Sequence, residues 1–377
     1  MENENYNISL KVKYVNNILI INSKRILIIK EVIIMINKNI PIFFSVDDNY
    51  VPFLMVTLKS IEINASIDNT YNIYILTNGL KTENVERLLK HNKNNFTLTF
   101  VDMNKKIKDI SAVLHTRDYY TKAIYYRLFI PSMFPNLNKA IYIDCDVCVK
   151  ADIAELYNYD LSNNLLGAIA DEAVSLVPEF QSYTKNCLGI EANKYFNSGV
   201  LVMNLEELRK INFETKFFNA LMSYKLSVAP DQDYLNVICK DRITYIPKVW
   251  NKMPFKDTNL SLEEIKLIHY NLSYKPWHYE NIEYEEVFWK YTKQANLCDV
   301  MKNILDSFTP ELKQKDIQSG KHLLQMADLQ SKQQDTLLSL LENGEIDKNT
   351  FLRTDTKRSE NVFSGLVKKV TKKLKKV

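Results

Sequence analysis

Residues 141–147, Ile-Tyr-Ile-Asp-Cys-Asp-Val, decide how the rest of the chain is read. The β-branched and aromatic start reads as an apolar strand, and its exit carries carboxylates at i and i+2. Side chains of an extended backbone alternate faces, so Asp144 and Asp146 are expected on one side. Two carboxylates placed together can grip one divalent ion or a water on it. Hard oxygen ligands select magnesium or manganese, and such ions are commonly completed by the phosphates of a bound nucleotide. A D-x-D alone is also what a strand ending in solvent looks like, so its meaning rests on the surrounding pattern.

Working outward, strand and helix alternate from residue 41. Residues 41–46 read as a buried strand, 50–64 as a helix, 71–77 as a strand, 82–93 as a helix and 96–102 as a strand. A helix through 123–130 precedes the D-x-D strand, and further strands are expected at 165–171 and 199–204. Such alternation implies an α/β sandwich on a mainly parallel sheet, which binds ligands beyond the carboxyl ends of its strands. Polar residues collect at those ends: Asp47 and Asn49, then Asp144 and Asp146, then Asp171.

The 377 residues are 46% hydrophobic and 11% aromatic, ample for a large core. Only seven are glycine, and neither G-x-G-x-x-G nor G-x-x-x-x-G-K-[ST] occurs, so a bound nucleotide would be held by metal and side chains. The five cysteines, at 145, 148, 187, 239 and 298, have no framework spacing and read as reduced thiols of a cytosolic enzyme. Cys145 and Cys148 form a C-x-x-C without a second pair, which favours strand residues over a zinc or redox site. No signal peptide is recognised. The most apolar stretch, 18–36, is interrupted by Lys24, Arg25, Lys30 and Glu31, too charged to span a membrane.

The two ends differ from the middle. Residues 1–37 are an Asn, Ile and Lys medley without turn signals; Lys30-Glu31-Val32 can be encoded by a ribosome-binding sequence just before Met35, so translation is expected to begin there, with an extra strand pair as the alternative. Residues 38–295 form the expected catalytic domain, 296–343 a helical extension and 344–360 a polar linker. The last stretch, 361–377, places Phe363, Leu366, Val367, Val370, Leu374 and Val377 at helical spacing among six lysines, the pattern of an interfacial helix on an anionic membrane. Without those lysines the balance is 43 Lys and Arg against 45 Asp and Glu, so the formal charge of +4 becomes −2. The basic character is local to the tail, which argues against nucleic acid as a partner.

The D-x-D has companions in a fixed order: VDDNY (46–50), YYRL (125–128), YFNSGVLVMNL (195–205), PDQDYLN (230–236) and IHYNLSYKPWH (268–278). With these, the chain resembles the retaining family 8 glycosyltransferases over about residues 40–291, especially the bacterial lipooligosaccharide galactosyl- and glucosyltransferase branch. The resemblance implies a Rossmann-like nucleotide-sugar-binding sandwich of glycosyltransferase A type, here with a helical C-terminal extension. It implies a UDP-hexose donor and a glycan or lipid-linked acceptor; with the reduced thiols and the basic tail, the enzyme is expected in the cytoplasm at the inner membrane face.

It also implies roles. Asp144, Asp146 and His269 match the family's manganese ligands, magnesium being possible, and an imidazole with two carboxylates suits manganese. Lys275 would touch the donor diphosphate as a point charge, although lysine on a surface loop is the ordinary reading. Asp47, Asn49 and Tyr50 would hold uracil and ribose, with helix capping as their structural alternative. Arg127 and Asn197 match donor-sugar contacts. Asp231, which also suits a helix N-terminus, would bind the transferred sugar, Gln232 would lie near its anomeric carbon, and Asp171 would shape the acceptor pocket. Where the family usually has glycine three residues after the metal histidine, this chain has Leu272.

Two rivals stand beside this reading. Haloacid-dehalogenase-like phosphatases also place D-x-D after an apolar strand, but with Thr or Val where this chain has Cys148, and near the domain start. A membrane-tethered glycan-binding protein could keep such a fold without turnover.

Overall fold

In the computed structural model, the described residues are 21–22, 25–26, 38–108, 114 and 121–354. The expected start at Met35 and the basic helix at 361–377 lie outside them; of residues 1–37 only an antiparallel pair, Ile21–Asn22 with Arg25–Ile26, is described.

Nine further strands build the domain: β1 Asn39–Ser45, β2 Thr70–Thr77, β3 Phe96–Asp102, β4 Lys139–Ile143, β5 Val147–Val149, β6 Leu166–Ala170, β7 Phe196–Asn204, β8 Ile243–Tyr245 and β9 Leu267–His269. Seven of them form one sheet in the order β8-β6-β7-β4-β1-β2-β3. The central strands are apolar runs buried on both faces, as in β1 from Ile40 to Phe44, whereas edge strand β3 alternates buried with exposed positions at its start. Pro41 has no N–H to give, and pairing of β1 with β4 begins only at Ile42. Two apolar clusters fill the opposite faces, one around Phe43, Tyr142 and Leu201, the other around Ile42, Ile141 and Val202.

All neighbours pair in parallel except β7, which is antiparallel to both β4 and β6. That reversal has a consequence for chemistry. The amino end of β7, with Asn197 and Gly199, sits beside the carboxyl ends of its neighbours: the Asp144 N–H donates to the Gly199 carbonyl (2.8 Å) and the Asp171 N–H to that of Tyr195 (2.8 Å). The order also changes direction between β1 and β4, leaving a crevice at their carboxyl ends.

Local corrections follow. Residues 122–129 form a 3-10 helix, not an α-helix, and the 82–93 helix ends at Leu89. The chain bends after β4, so Asp144 and Asp146 are not on one continuous strand. The C-terminal extension is three helices: Cys298–Asp306, whose Met301 is buried in the second cluster, then Pro310–Ser331 and Leu337–Glu342, whose Leu323, Ala327, Leu337, Leu340 and Leu341 are buried in the first. The expected linker is packed in its first part: Ile346 and Phe351 join the same cluster and Ile346 bridges to Arg353. Residues 296–354 therefore share the core of the sheet. No helix among the described residues is long and apolar enough to cross a membrane.

Candidate active site

The bend after β4 is held from behind. Thr57, on the helix Val51–Asn64, donates between the carbonyls of Cys145 and Val147 (2.8 Å each), and Ser60 on the same helix accepts from the Val149 N–H (2.9 Å). Strand β5 then pairs antiparallel with β9, placing His269 opposite Val147, and the Tyr270 N–H reaches the Asp146 carbonyl (2.9 Å). A histidine 123 positions away is thereby carried to the D-x-D. One oxygen each from Asp144 and Asp146 and a ring nitrogen of His269 lie within 4.8 Å of one another. His269 Nε2 is 3.2 Å from Asp146 and 3.9 Å from Asp144.

His269 is only 2% exposed, and its Nδ1 meets the Asn251 side-chain oxygen at 2.9 Å. An amide oxygen can only accept, so Nδ1 carries the proton and Nε2 is the nitrogen turned toward the carboxylates. Gly199 completes this wall. A Cβ there would fall 2.6 Å from Asp144 Oδ2 and closer still to His269, so the cluster needs a residue without a side chain.

The cations are buried rather than solvated. Arg127, 3% exposed, pairs with Asp144 (3.0 Å) and Asp231 (3.2 Å), donates to Ser198 and lies over the Tyr142 ring. Lys275 donates to Asp146 (2.6 Å) and to the Tyr270 carbonyl (2.8 Å), so the surface-loop reading of this lysine is wrong. Burial opposes ionisation of Asp146, but Lys275 and His269 outweigh it and hold the carboxyl well below the usual range. Asp231 goes the other way, because its burial outweighs the pull of Arg127.

Helix Pro230–Cys239 points its first turn into the cleft. Gln232 is clamped at both ends: its oxygen accepts from the Ser198 N–H (2.9 Å) and its nitrogen donates to Asp171 (3.1 Å). Behind it, Asp233 takes hydroxyl hydrogen bonds from Tyr195 (2.6 Å) and Tyr183 (2.9 Å), with burial pushing its pKa up to about 6. Asp171 is no solvent-facing strand end; it caps the helix Glu172–Leu176 through the Val174 N–H (3.1 Å) and accepts from Asn197 (3.0 Å).

Of the sequence-derived site residues, Asp47, Tyr50, Arg127, Asp144, Asp146, Asp171, Asn197, Asp231, Gln232, His269 and Lys275 line this one cleft. Asn49 is exposed and does not line it. Asp47 itself is the cap, accepting from the N–H groups of Asn49 (3.0 Å) and Tyr50 (3.2 Å). Leu272 lines the cleft with φ of +54°, the left-handed conformation that glycine adopts freely, so the backbone shape survives the substitution at the cost of strain. The sequence reading missed Gly199 and Asn251. The first could have been found from glycine scarcity, whereas Asn251, 18 residues before its histidine, carries no local signal. Cys148 lies in β5 as expected, whereas Cys145 falls in the bend before it; both are buried free thiols with pKa values raised by burial.

A model of the family described as Glycosyl transferase family 8 matches residues 41–281. The chain belongs to that family. This family 8 chain is 30% identical over 250 residues to a putative glycosyltransferase of Haemophilus influenzae, covering 64% of this chain and 74% of that one. It is 28% identical over 267 residues to the lipopolysaccharide 1,2-glucosyltransferase of Escherichia coli K12, covering 65% and 75%. Among solved structures it is similar to the galactosyltransferase LgtC in complex with donor and acceptor sugar analogs, with a TM-score of 0.57, 25% identity and coverage of 68% and 95%. The fold is thus of glycosyltransferase A type and the protein is a transferase; the phosphatase reading has no support left. The divalent metal typical of the family fits these residues, since the donor set is two carboxylates and an imidazole whose Nδ1 is already committed.

Proposed function

We propose that this glycosyltransferase moves a hexose, galactose or glucose, from a UDP-sugar to a glycan acceptor with retention of configuration, in lipopolysaccharide or other cell-surface glycan synthesis. The observation that carries the reading is the convergence of Asp144, Asp146 and His269 beside the buried Arg127, Asp231 and Gln232 in one cleft. The three ligands would hold manganese, with magnesium as the substitute. When bound, the ion supplies charge neutralisation for a leaving diphosphate.

The chain's own residues divide the remaining work. Lys275 lies against Asp146 and is placed to pair with donor phosphate, while Asp47 and Tyr50 mark the nucleoside end. Arg127 holds Asp144 and Asp231 at fixed separation, and Asp231 offers a buried acceptor for sugar hydroxyls. Gln232 is a neutral amide with its oxygen committed to Ser198, so it stabilises the lower sugar face rather than attacking it. Front-face substitution follows, through an oxocarbenium-like state, with the departing diphosphate oxygen helping to deprotonate the acceptor.

The lysine-rich segment 361–377 would keep the enzyme at the inner membrane face, where lipid-linked acceptors reside. Removing those residues should then release the protein from anionic vesicles without slowing hydrolysis of UDP-sugar in solution; equal sedimentation of both forms rejects the membrane role.

The test of the main reading is UDP release from UDP-galactose, UDP-glucose and their N-acetyl forms, with manganese and after chelation. One hexose donor should be consumed, and only with metal. Folded protein that binds glycan but releases UDP from none of them is a binding protein, and the transfer reading then fails.

A further inference from the structure

The cleft's buried amides form a chain with a fixed direction. It starts at Asp171, which is 4% exposed and whose carboxylate can only accept hydrogen bonds. Asn197 must therefore turn its nitrogen to Asp171 (3.0 Å), which leaves its oxygen facing Asn251 and the Gly199 N–H (2.9 Å). Asn251 must then turn its own nitrogen to that oxygen (3.0 Å), and its oxygen is left facing His269 Nδ1 (2.9 Å). Asn197 and Asn251 are both buried, so water is a poor substitute for any link. Reversing one amide would set oxygen against oxygen at one end and nitrogen against nitrogen at the other.

We propose that Asp171, acting through Asn197 and Asn251, is a positioning residue that decides which nitrogen of His269 faces the metal site. The proposal rests on the metal reading of Asp144, Asp146 and His269. Outer partners of a metal-bound histidine fix its tautomer and ring orientation, and their loss typically weakens metal binding by about 10- to 100-fold. Here the outer shell is three residues deep and ends on a charge. The same Asp171 oxygen that accepts from Asn197 also accepts from Gln232 (3.1 Å), so one carboxylate orients both the metal-ligand branch and the amide on the sugar side. None of the three relay residues has a seat in the metal cluster itself.

The experiment is a double-mutant cycle on manganese affinity of the full-length protein, read by titration calorimetry without substrate. Asn251→Leu should weaken binding by about 10-fold or more. Asp171→Asn should weaken it severalfold, because a neutral amide no longer demands the Asn197 nitrogen and leaves the Gly199 N–H alone to set the direction of that amide. In the Asn251→Leu background, Asp171→Asn should change nothing further, since the link between them is already cut. A second readout is the Nδ1-bound proton of His269 in magnesium-loaded, nitrogen-15-labelled protein. That resonance should be protected from exchange in the wild type and lost in Asn251→Leu. Circular dichroism and thermal melting establish folding; should Asn251→Leu fail to fold, Asn251→Ala carries the same expectation. Wild-type binding of manganese with full additivity of the two substitutions, or an unchanged affinity in Asp171→Asn, overturns the relay alone. A wild-type protein that binds no manganese overturns the metal reading and the relay with it.

Discussion

Two clusters in this molecule have the same ingredients and opposite characters. Asp146, His269 and Lys275 meet at the carboxyl edge of the sheet; Glu62, His91, Lys59 and Lys93 meet at its back, where the first helix ends. In the second, the histidine spends Nδ1 directly on the carboxylate (2.7 Å) and lysines close on the other oxygen at 2.8 and 3.5 Å. A single carboxylate surrounded by donors has no capacity left. In the first, a further carboxylate, Asp144, joins the group, and Asn251 takes Nδ1 so that Nε2 stays available. A buried ion pair becomes a ligand site when a second carboxylate joins it, the histidine keeps one nitrogen turned inward and one face stays open to a cleft. A perturbed carboxylate alone does not mark one: Glu62 is held down to about 2 by His91 and Lys59, against its burial, with no chemistry attached.

The most severe way to break the contrast is Asp146→Asn. Turnover of UDP-sugar without excess metal should fall by about a hundredfold or more, as for loss of a group that stabilises transition-state charge, while the fold persists. Near-normal rates in the folded variant would remove the metal from the mechanism. Next is Gly199→Ala, which inserts a methyl between Asp144 and His269. Manganese affinity should drop by about tenfold, a displacement comparable with loss of an outer partner, with the melting temperature reporting any wider damage; an unchanged affinity would mean that the cluster can move aside.

Glu62→Gln sharpens the comparison from the other side. UDP release should be unaffected, but stability at neutral pH should fall by about 1 to 2 kcal/mol, from the lost ion pairs of a half-buried carboxylate. The sign follows from a folded pKa depressed from 4.5 to about 2: the stabilisation is complete above 4.5 and disappears as pH falls through 2. Denaturant titrations across that window should show a shallower acid decline in the variant, and identical curves would show that the cluster contributes nothing. The smallest effect is expected for Leu272→Gly, which releases a left-handed leucine at the cleft's rim. Relief should be about 1 kcal/mol, visible as a small rise in melting temperature. A fall instead would mean that packing of the leucine side chain outweighs the backbone strain.

Legibility followed the range of the interaction. The alternating elements from 41 to 204 were readable because each strand's burial is written in its own apolar run. The D-x-D, Arg127, PDQD and His269 were readable through their short motifs. What misled has one cause. Residues 344–360 read as a linker, and a surface loop stood as the ordinary alternative for Lys275, because polar local sequence does not reveal a distant buried partner. The Lys275 partner lies 129 residues away, and the packed part of the expected linker gets its core contacts from the face built by Leu201 and Phe217.

By itself, the sequence determined the α/β class, the carboxylate pair after an apolar strand and the helix opening at Pro230, since all three depend on neighbours within a few residues. Only the tertiary structure decided that β7 runs backwards, that Gly199 must lack a side chain and that Asn251 stands behind His269. Those are matters of orientation between segments far apart in the chain, and hydrogen-bond direction in a buried network is set by whichever charge anchors it, here Asp171.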